Sequence, residues 1–331
     1  VVDMSGNTGG LVIAKGTTAQ QPTCNASILG SIREDTDSTG EIKVQVCTST
    51  GWRFLKYDGI PLIVDYLVVA GGGGGASAHG ASGAAGGAGE YLYKTSQTLT
   101  TGGSGYTVTV GAGGIGGQVT SSTVGSAGTQ GSDSIFIQTT KGGGFGRPAG
   151  GSPAGVYAGS DGGSGGGGAF NGTGGASTAV SPGLGNAGGA GYAGSNYGCG
   201  GGGGAGSAGI NGTTNTGGAG GAGVQNPITV ASGSGPFYAA GGGGGIYNQT
   251  TASGFGGSLI GGNSYNTQNA TGGAANTGSG GGGGSYRQTP NNIWSGGAGS
   301  SGVVILRYTT ADIASYTTTG ITPTVDTTTV S

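Results

Sequence analysis

Five runs of four or five consecutive glycines, at residues 71–75, 165–168, 200–204, 241–245 and 280–284, set the terms on which this chain can fold. A backbone without side chains can lie against other backbones at distances that any Cβ would forbid. Flexible glycine linkers are usually diluted with serine or charge. Here the runs are framed instead by strand-like segments, Tyr66-Leu67-Val68-Val69-Ala70 before the first and Val303-Val304-Ile305-Leu306 after the last. That framing predicts a built object rather than a tether.

Order is expensive for such a chain. It holds 91 glycines in 331 residues, and each costs roughly 0.5–1 kcal/mol more than alanine to fix. The apolar share of 33% is inflated by alanine, so a core of Leu, Ile and Phe is poorly supplied. Dense backbone hydrogen bonding, with assembly from partner chains, has to offset the lost entropy. Disorder normally goes with high net charge; this chain is 7% charged with a net charge of -2.

The same balance excludes nucleic acid as a partner, because that needs clustered Lys and Arg. No stretch of ~20 apolar residues suggests a membrane span, and no signal-peptide pattern opens the sequence. The first residue is Val1 and the single Met is Met4, which reads as a processed or partial form. Cys24, Cys47 and Cys199 have no paired C-x-x-C spacing, so neither zinc nor a disulfide framework is indicated. Cys24 and Cys47 flank a β module and are able to meet; the plainer reading is three free thiols in a reducing compartment.

An extended threefold helix of the polyproline II type rises about 3.1 Å per residue and satisfies none of its own hydrogen bonds. Buried, each N–H and C=O must find a partner on a neighbouring chain segment. A helix enclosed on all sides then needs Gly at every position, whereas a peripheral one needs it only on its inner faces. Five consecutive glycines therefore predict a central rod about 15 Å long, and Gly217-Gly218-Ala219-Gly220-Gly221-Ala222-Gly223 predicts a peripheral one. Collagen is excluded by nine Pro and irregular Gly spacing. A silk-like flexible mesh has the same composition; the Val, Ile and Tyr strands at both ends of the region favour order.

Residues 1–64 differ from the rest. Residues 1–65 carry 12 of the 22 charged residues. Ile42, Val44 and Val46 alternate with Glu41, Lys43 and Gln45, the period of a half-buried strand. With Trp52-Arg53-Phe54-Leu55-Lys56-Tyr57 this makes a small antiparallel meander, too small to stand without neighbours. Gly30, Ile32, Arg33, Thr36, Asp37, Gly40, Val44, Gly51, Trp52 and Arg53 form a pattern that resembles a short β module repeated in bacteriophage tail fibres and other virion appendages. Trp52 and Arg53 are expected to pack as a hairpin cap.

From Asp65 the character changes. Tyr66-Leu67-Val68-Val69-Ala70, Glu90-Tyr91-Leu92-Tyr93, Tyr106-Thr107-Val108-Thr109-Val110 and Ser134-Ile135-Phe136-Ile137-Gln138 read as strands. After Lys141 strands stop until Val303-Val304-Ile305-Leu306-Arg307-Tyr308, and a Thr-rich tail, 309–331, follows. The segment 65–308 resembles a glycine-rich domain of tailed phages. The likeness rests on the Tyr66-to-Gly72 opening, the Tyr106-to-Gly114 stretch, Asn276-Thr277-Gly278-Ser279-Gly280, and the closing Gly302-to-Tyr308 strand. It is similar, more loosely, to the glycine-rich tail-tip adhesins of T-even-like phages. These resemblances imply a virion appendage that touches the host surface.

No constellation for catalysis stands out, and the chain reads as a non-enzyme needing no cofactor or metal. His79 has no neighbouring carboxylate or serine arrangement. Glu90, Asp133 and Asp161 are the only acids between residues 66 and 300, and nothing in their spacing supports hydrolysis. Gly-x-Gly-x-x-Gly matches carry no meaning without the strand–turn–helix context of a nucleotide site.

The aromatics are more telling. Tyr157, Phe170, Tyr192, Tyr197, Tyr247, Phe255, Tyr265, Tyr286 and Trp294 stand mostly alone among Gly, Ser, Asn and Thr, between the glycine runs. If the runs are rods, these rings lie in the turns at rod ends. They would there serve as receptor contacts, as Tyr does in antibody loops, or cap the glycine stack against water.

The expected fold is mainly β and irregular: an N-terminal meander (1–64), a glycine-rich domain of stacked polyglycine-II-type helices framed by strands (65–308), and the tail. The expected function is a tail-fibre or tip adhesin in the virion. Its partners would be other virion proteins, its own copies, with a trimer favoured, and a bacterial surface glycan or outer-membrane protein. The alternative is a structural fibre, head-decoration or filament subunit without receptor binding.

Overall fold

The computed structural model describes residues 14–29, 31–35, 43–54, 62–78, 80–100, 105–119, 125–150, 157–194, 196–228, 235–248, 253–289 and 291–308. The tail, His79, and Gly30, Thr36, Asp37 and Gly40 of the N-terminal pattern lie outside them. Among the described residues there is no α-helix, and no helix long and apolar enough to cross a membrane. The chain divides into two compact units, one of them residues 1–60 with 100–102, the other 61–99 with 103–331.

In the first unit β1 (Ala14–Gly16), β2 (Ile32–Asp35), β3 (Lys43–Thr48) and β4 (Gly51–Phe54) form one sheet in chain order. The β2–β3–β4 part is the expected antiparallel meander, and β1 adds to it in parallel. Arg33 is buried, its guanidinium donating to Gln45 Oε1 and the Thr17 carbonyl and lying 5.8 Å from the centre of the Trp52 ring. Trp52 Nε1 donates to the Pro22 carbonyl at 2.7 Å. The reading of three free thiols is corrected here. Cys24 and Cys47, with Cα atoms 5.6 Å apart, form a disulfide, and Cys199 alone is free. The Pro22 contact brings the loop bearing Cys24 beside β3, a proximity that cysteine spacing alone does not encode.

The second unit is built on a three-stranded antiparallel sheet of β5 (Leu62–Val69), β6 (Tyr91–Leu99) and β13 (Val303–Tyr308), with β5 in the middle. Period-2 alternation splits β5 between two apolar clusters. Leu67 and Val69 pack with Tyr91, Ile228 and Ala239, while Val64, Tyr66 and Val68 pack with Leu92, Leu99 and Phe136. At a bulge in β6, Ser96 takes φ 51 and its N–H donates to Asp65 Oδ1. The opposite oxygen of Asp65 receives two N–H groups of Arg307 on β13.

Other strands depart from expectation. Tyr106–Val110 is not a strand: Thr109 alone bridges, to Ile135, and Tyr106 and Val110 are exposed. Ser134–Gln138 becomes a tight hairpin, β7 (Ser134–Phe136) and β8 (Gln138–Thr140), turning at Ile137 with φ 59. After Lys141, where no strand is expected, four two-residue strands appear: β9 (Val224–Gln225), β10 (Phe237–Tyr238), β11 (Tyr286–Arg287) and β12 (Asn292–Ile293).

From Ala70 the middle strand runs directly into glycine, and the hydrogen bonding changes from two neighbours to six. Ala70, Gly73 and Ala76 donate to Glu90, Gly87 and Ala84; Gly71, Gly74 and Ser77 to Ser132, Thr129 and Ser126; Gly72, Gly75 and Ala78 to Ser300, Gly297 and Trp294. These three acceptor segments run antiparallel to 70–78. The carbonyls serve three more, all parallel: those of Gly71 and Gly74 accept from Gly143 and Gly146, of Gly72 and Gly75 from Gly114 and Gly117, of Gly73 and Ala76 from Gly281 and Gly284. Each neighbour is met at every third residue.

The run 200–204 behaves alike. Gly200 and Gly203 donate to Gly168 and Gly165, Cys199 and Gly202 to Gly245 and Gly242, Gly201 and Gly204 to Ile210 and Ser207. All residues of the five runs are buried, and a Cβ at Gly202 would fall on the carbonyl oxygen of Gly86. In 217–223, by contrast, Ala219 and Ala222 are half-exposed. The two alanines are three residues apart and look outward, as a peripheral segment requires.

Candidate binding site at the end of the lattice

The register of these bonds places the turns. Gly83 donates to the Gly284 carbonyl and accepts from Gly245, whose own carbonyl accepts from Cys199. Residues 83, 284, 245 and 199 therefore lie at one level, and the turns just beyond them share one end of the lattice, opposite the three-stranded sheet. Tyr197, Tyr247 and Tyr286 sit in those turns. Phe170 follows the run 165–168, in which Gly167 donates to Ala85, and so reaches the same end.

There the rings join. Tyr157 and Phe170 have centroids 5.5 Å apart, Phe170 and Tyr197 5.2 Å, Tyr197 and Tyr247 4.7 Å, Tyr247 and Tyr286 5.4 Å. The first two contacts are edge-to-face, the third is stacked, and the fourth is tilted, all within the range of favourable ring packing. Backbone bonds hold the row: Ala169 N–H donates to Tyr157, Tyr247 N–H to Tyr197, Asn248 N–H to Tyr286. Phe170 has φ 46 and Asn248 φ 55. A left-handed Asn is common, but a left-handed Phe is an outlier maintained by its surroundings.

Beneath the row Ala81, Ala84, Ala149, Ala169 and Cys199 form a small apolar floor. The Ser82 hydroxyl reaches the Tyr197 carbonyl at 3.3 Å and Cys199 Sγ at 3.1 Å. Burial pushes the Cys199 thiol up to about 11, although the Ser82 hydroxyl and the Phe170 N–H pull the other way. It is a floor residue, not a nucleophile poised near neutrality. Burial also raises Tyr197, helped by the phenols of Tyr247, Tyr157 and Tyr286 around it. All five rings are half-buried. The hydroxyls of Tyr157, Tyr197, Tyr247 and Tyr286 form no hydrogen bond with the described residues, yet none is shut away from water.

Five of the nine ring positions singled out in the sequence thus make one surface, and four do not. Tyr192 (40% exposed) and Phe255 (69% exposed) stand alone. Tyr265 is half-buried and its hydroxyl accepts from Asn263 Nδ2. Trp294 is buried, and its carbonyl belongs to the lattice through Ala78. Ser82, Cys199 and Asn248 support the row without having been singled out. For Asn248, its place beside a lone Tyr just past a glycine run is the one sequence signal.

The acids lie elsewhere. Glu90 is buried, its two oxygens accepting the N–H groups of Lys141 and Val180 at 2.9 and 3.0 Å. Burial raises its pKa and Asp133 adds to this, against the two N–H groups and the Lys141 charge. With Leu92, Gln138, Thr139, Val180, Ser181 and Pro182 it borders a cavity of about 280 Å³. Asp133 takes the Lys141 ammonium at 2.9 Å and the Gly142 N–H, and Asp161 takes the Ala176 N–H. Among the described residues no three potential metal ligands cluster.

A family model described as a glycine-rich domain matches residues 58–309. No curated protein matches the chain.

Proposed function

The chain belongs to the glycine-rich domain family over residues 58–309, and from that premise we propose that it is a virion appendage of a tailed phage, a tail fibre or tip adhesin. In this reading the glycine runs are polyglycine-II-type helices. The threefold rotation of hydrogen-bond partners and the burial of every run residue support it. The helices form a rigid head, and the aromatic end meets a bacterial surface glycan or outer-membrane protein. The N-terminal unit ties the head to other virion proteins, and copies associate as a cyclic oligomer, a trimer by preference. Multiple copies per particle turn weak individual contacts into firm attachment.

The observation that carries the reading is the row of five rings at one end of a backbone lattice. Such a lattice holds its turns firmly, and function concentrates on turns borne by rigid scaffolds. Labelled full-length protein should bind intact cells of some strain in a bacterial panel saturably, and Tyr247→Ala with Tyr286→Ala should lose at least tenfold in apparent affinity. Unsaturable or absent binding across the panel overturns the reading.

A structural-subunit reading has one observation in its favour. Ile210, Phe255 and Leu259 are 59%, 69% and 99% exposed. They lie on adjacent peripheral segments, since Ile210 N–H donates to Ala219 and Gly220 N–H to Phe255. Concentration-dependent filament growth without cell binding, abolished by Leu259→Ser, is what this alternative expects.

A further inference from the structure

The ionisable groups of the second unit are sorted along the lattice. No Asp, Glu, Lys, Arg or His occurs between Asp161 and Arg287. Asp65, Glu90 and Asp133 lie at the sheet end, and each is engaged: Asp65 by Arg307, Glu90 by two N–H groups, Asp133 by Lys141 and the Gly142 N–H. Asp161, midway, accepts the Ala176 N–H.

Lys94 lies on β6 at the sheet end, and the two cations that remain, Arg147 and Arg287, flank the aromatic row along the backbone. Arg147 accepts the Ala84 N–H on its carbonyl. Its successor Pro148 bridges Gly83, and Ala149 belongs to the floor under Tyr157 and Phe170. Arg287 directly follows Tyr286, the far end of the row. Neither forms an ion pair among the described residues, although Arg147 lies 5.0 Å from the centre of the Phe145 ring. No described carboxylate shares this end.

Resting on the attachment reading, we infer that the row takes an anionic polysaccharide: sugar rings against the tyrosine rings, ring hydroxyls on the unused phenols, and acidic substituents on Arg147 and Arg287. Tyrosine joins an apolar body to a polar tip, the surface a sugar presents in reverse. The guanidinium fork matches carboxylate and phosphate oxygens alike, so the two chemistries are distinguished by experiment.

Full-length protein is passed over immobilised polygalacturonate, which carries carboxylates, a phosphomannan, which carries phosphates, and neutral dextran. Binding to at least one acidic polymer and not to dextran is expected. It should weaken with salt as charge contacts do, and Arg147→Gln with Arg287→Gln should lose at least tenfold at unchanged circular dichroism. Arg287→Gln alone serves if the double variant does not fold. Equal binding to dextran, binding to none of the three, or an undiminished arginine variant overturns the inference. Intact cells separate the two readings. Cells held equally by wild type and arginine variant leave attachment standing and sink the anionic ligand. Polymer binding without cell binding does the reverse.

Discussion

At Gly202 the demand for glycine is absolute in a way helix or strand propensity never is. A Cβ there would overlap the Gly86 carbonyl oxygen, and at Gly243 that of Gly254. Both obstacles are backbone, itself bonded into the lattice, so neither yields as a side chain would. Gly202→Val and Gly243→Val should abolish cooperative thermal unfolding, followed by circular dichroism. Gly80 is the internal comparison. It has φ +53 and open space where its Cβ would stand, so Gly80→Asn, which accepts the left-handed region, should cost less than about 1 kcal/mol. Five adjacent glycines announced the first kind of site plainly. The second kind looks identical in the sequence, because a glycine required for its φ and one required for its absent Cβ are the same letter.

Among the elements, β5 and β13 were legible because each is a near-continuous run of Val, Leu, Ile and Tyr over six to eight residues, mostly buried in β5 and mostly half-buried in β13. The Tyr106–Val110 segment has a clean period-2 alternation, but among the described residues Thr109 alone pairs, with Ile135. The hairpin at Ile137 was hidden, since nothing about a β-branched residue signals φ > 0. The aromatic row was half visible. Single rings beside glycine runs could be picked out, but which runs are neighbours depends on lattice order, and runs of one residue type carry no labels.

Once assembled, the row has a consequence for pH. Burial raises Tyr197, so the folded chain holds its proton more tightly than the unfolded chain. That contribution to stability is complete below pH ~10, the ordinary tyrosine value, and is lost as pH rises past it. The thermal midpoint should therefore fall above pH 10, and Tyr197→Phe should flatten the fall. An unchanged slope in that variant would place the alkaline sensitivity elsewhere, Tyr91 being the other tyrosine burial raises most.

For the molecule as a whole, main chain in contact with main chain replaces much of the oily interior. Among the described residues, the apolar side-chain clusters lie at the sheet and in the floor beneath the rings. Amide exchange should reflect this, with slow exchange at residues 71–78, 200–204 and 241–245, equal to or beyond that of β5. Rapid exchange through those runs would mean that the lattice does not hold in solution. Meeting the same neighbour only at every third residue also imposes a counting rule on heredity. One codon added inside a glycine segment shifts every later residue by one place and hands each amide to the wrong recipient. Three added codons restore the order of partners, and codons added in a turn leave that order untouched. Descendants of such a gene can therefore vary their turns freely while their glycine segments change length only in steps of three.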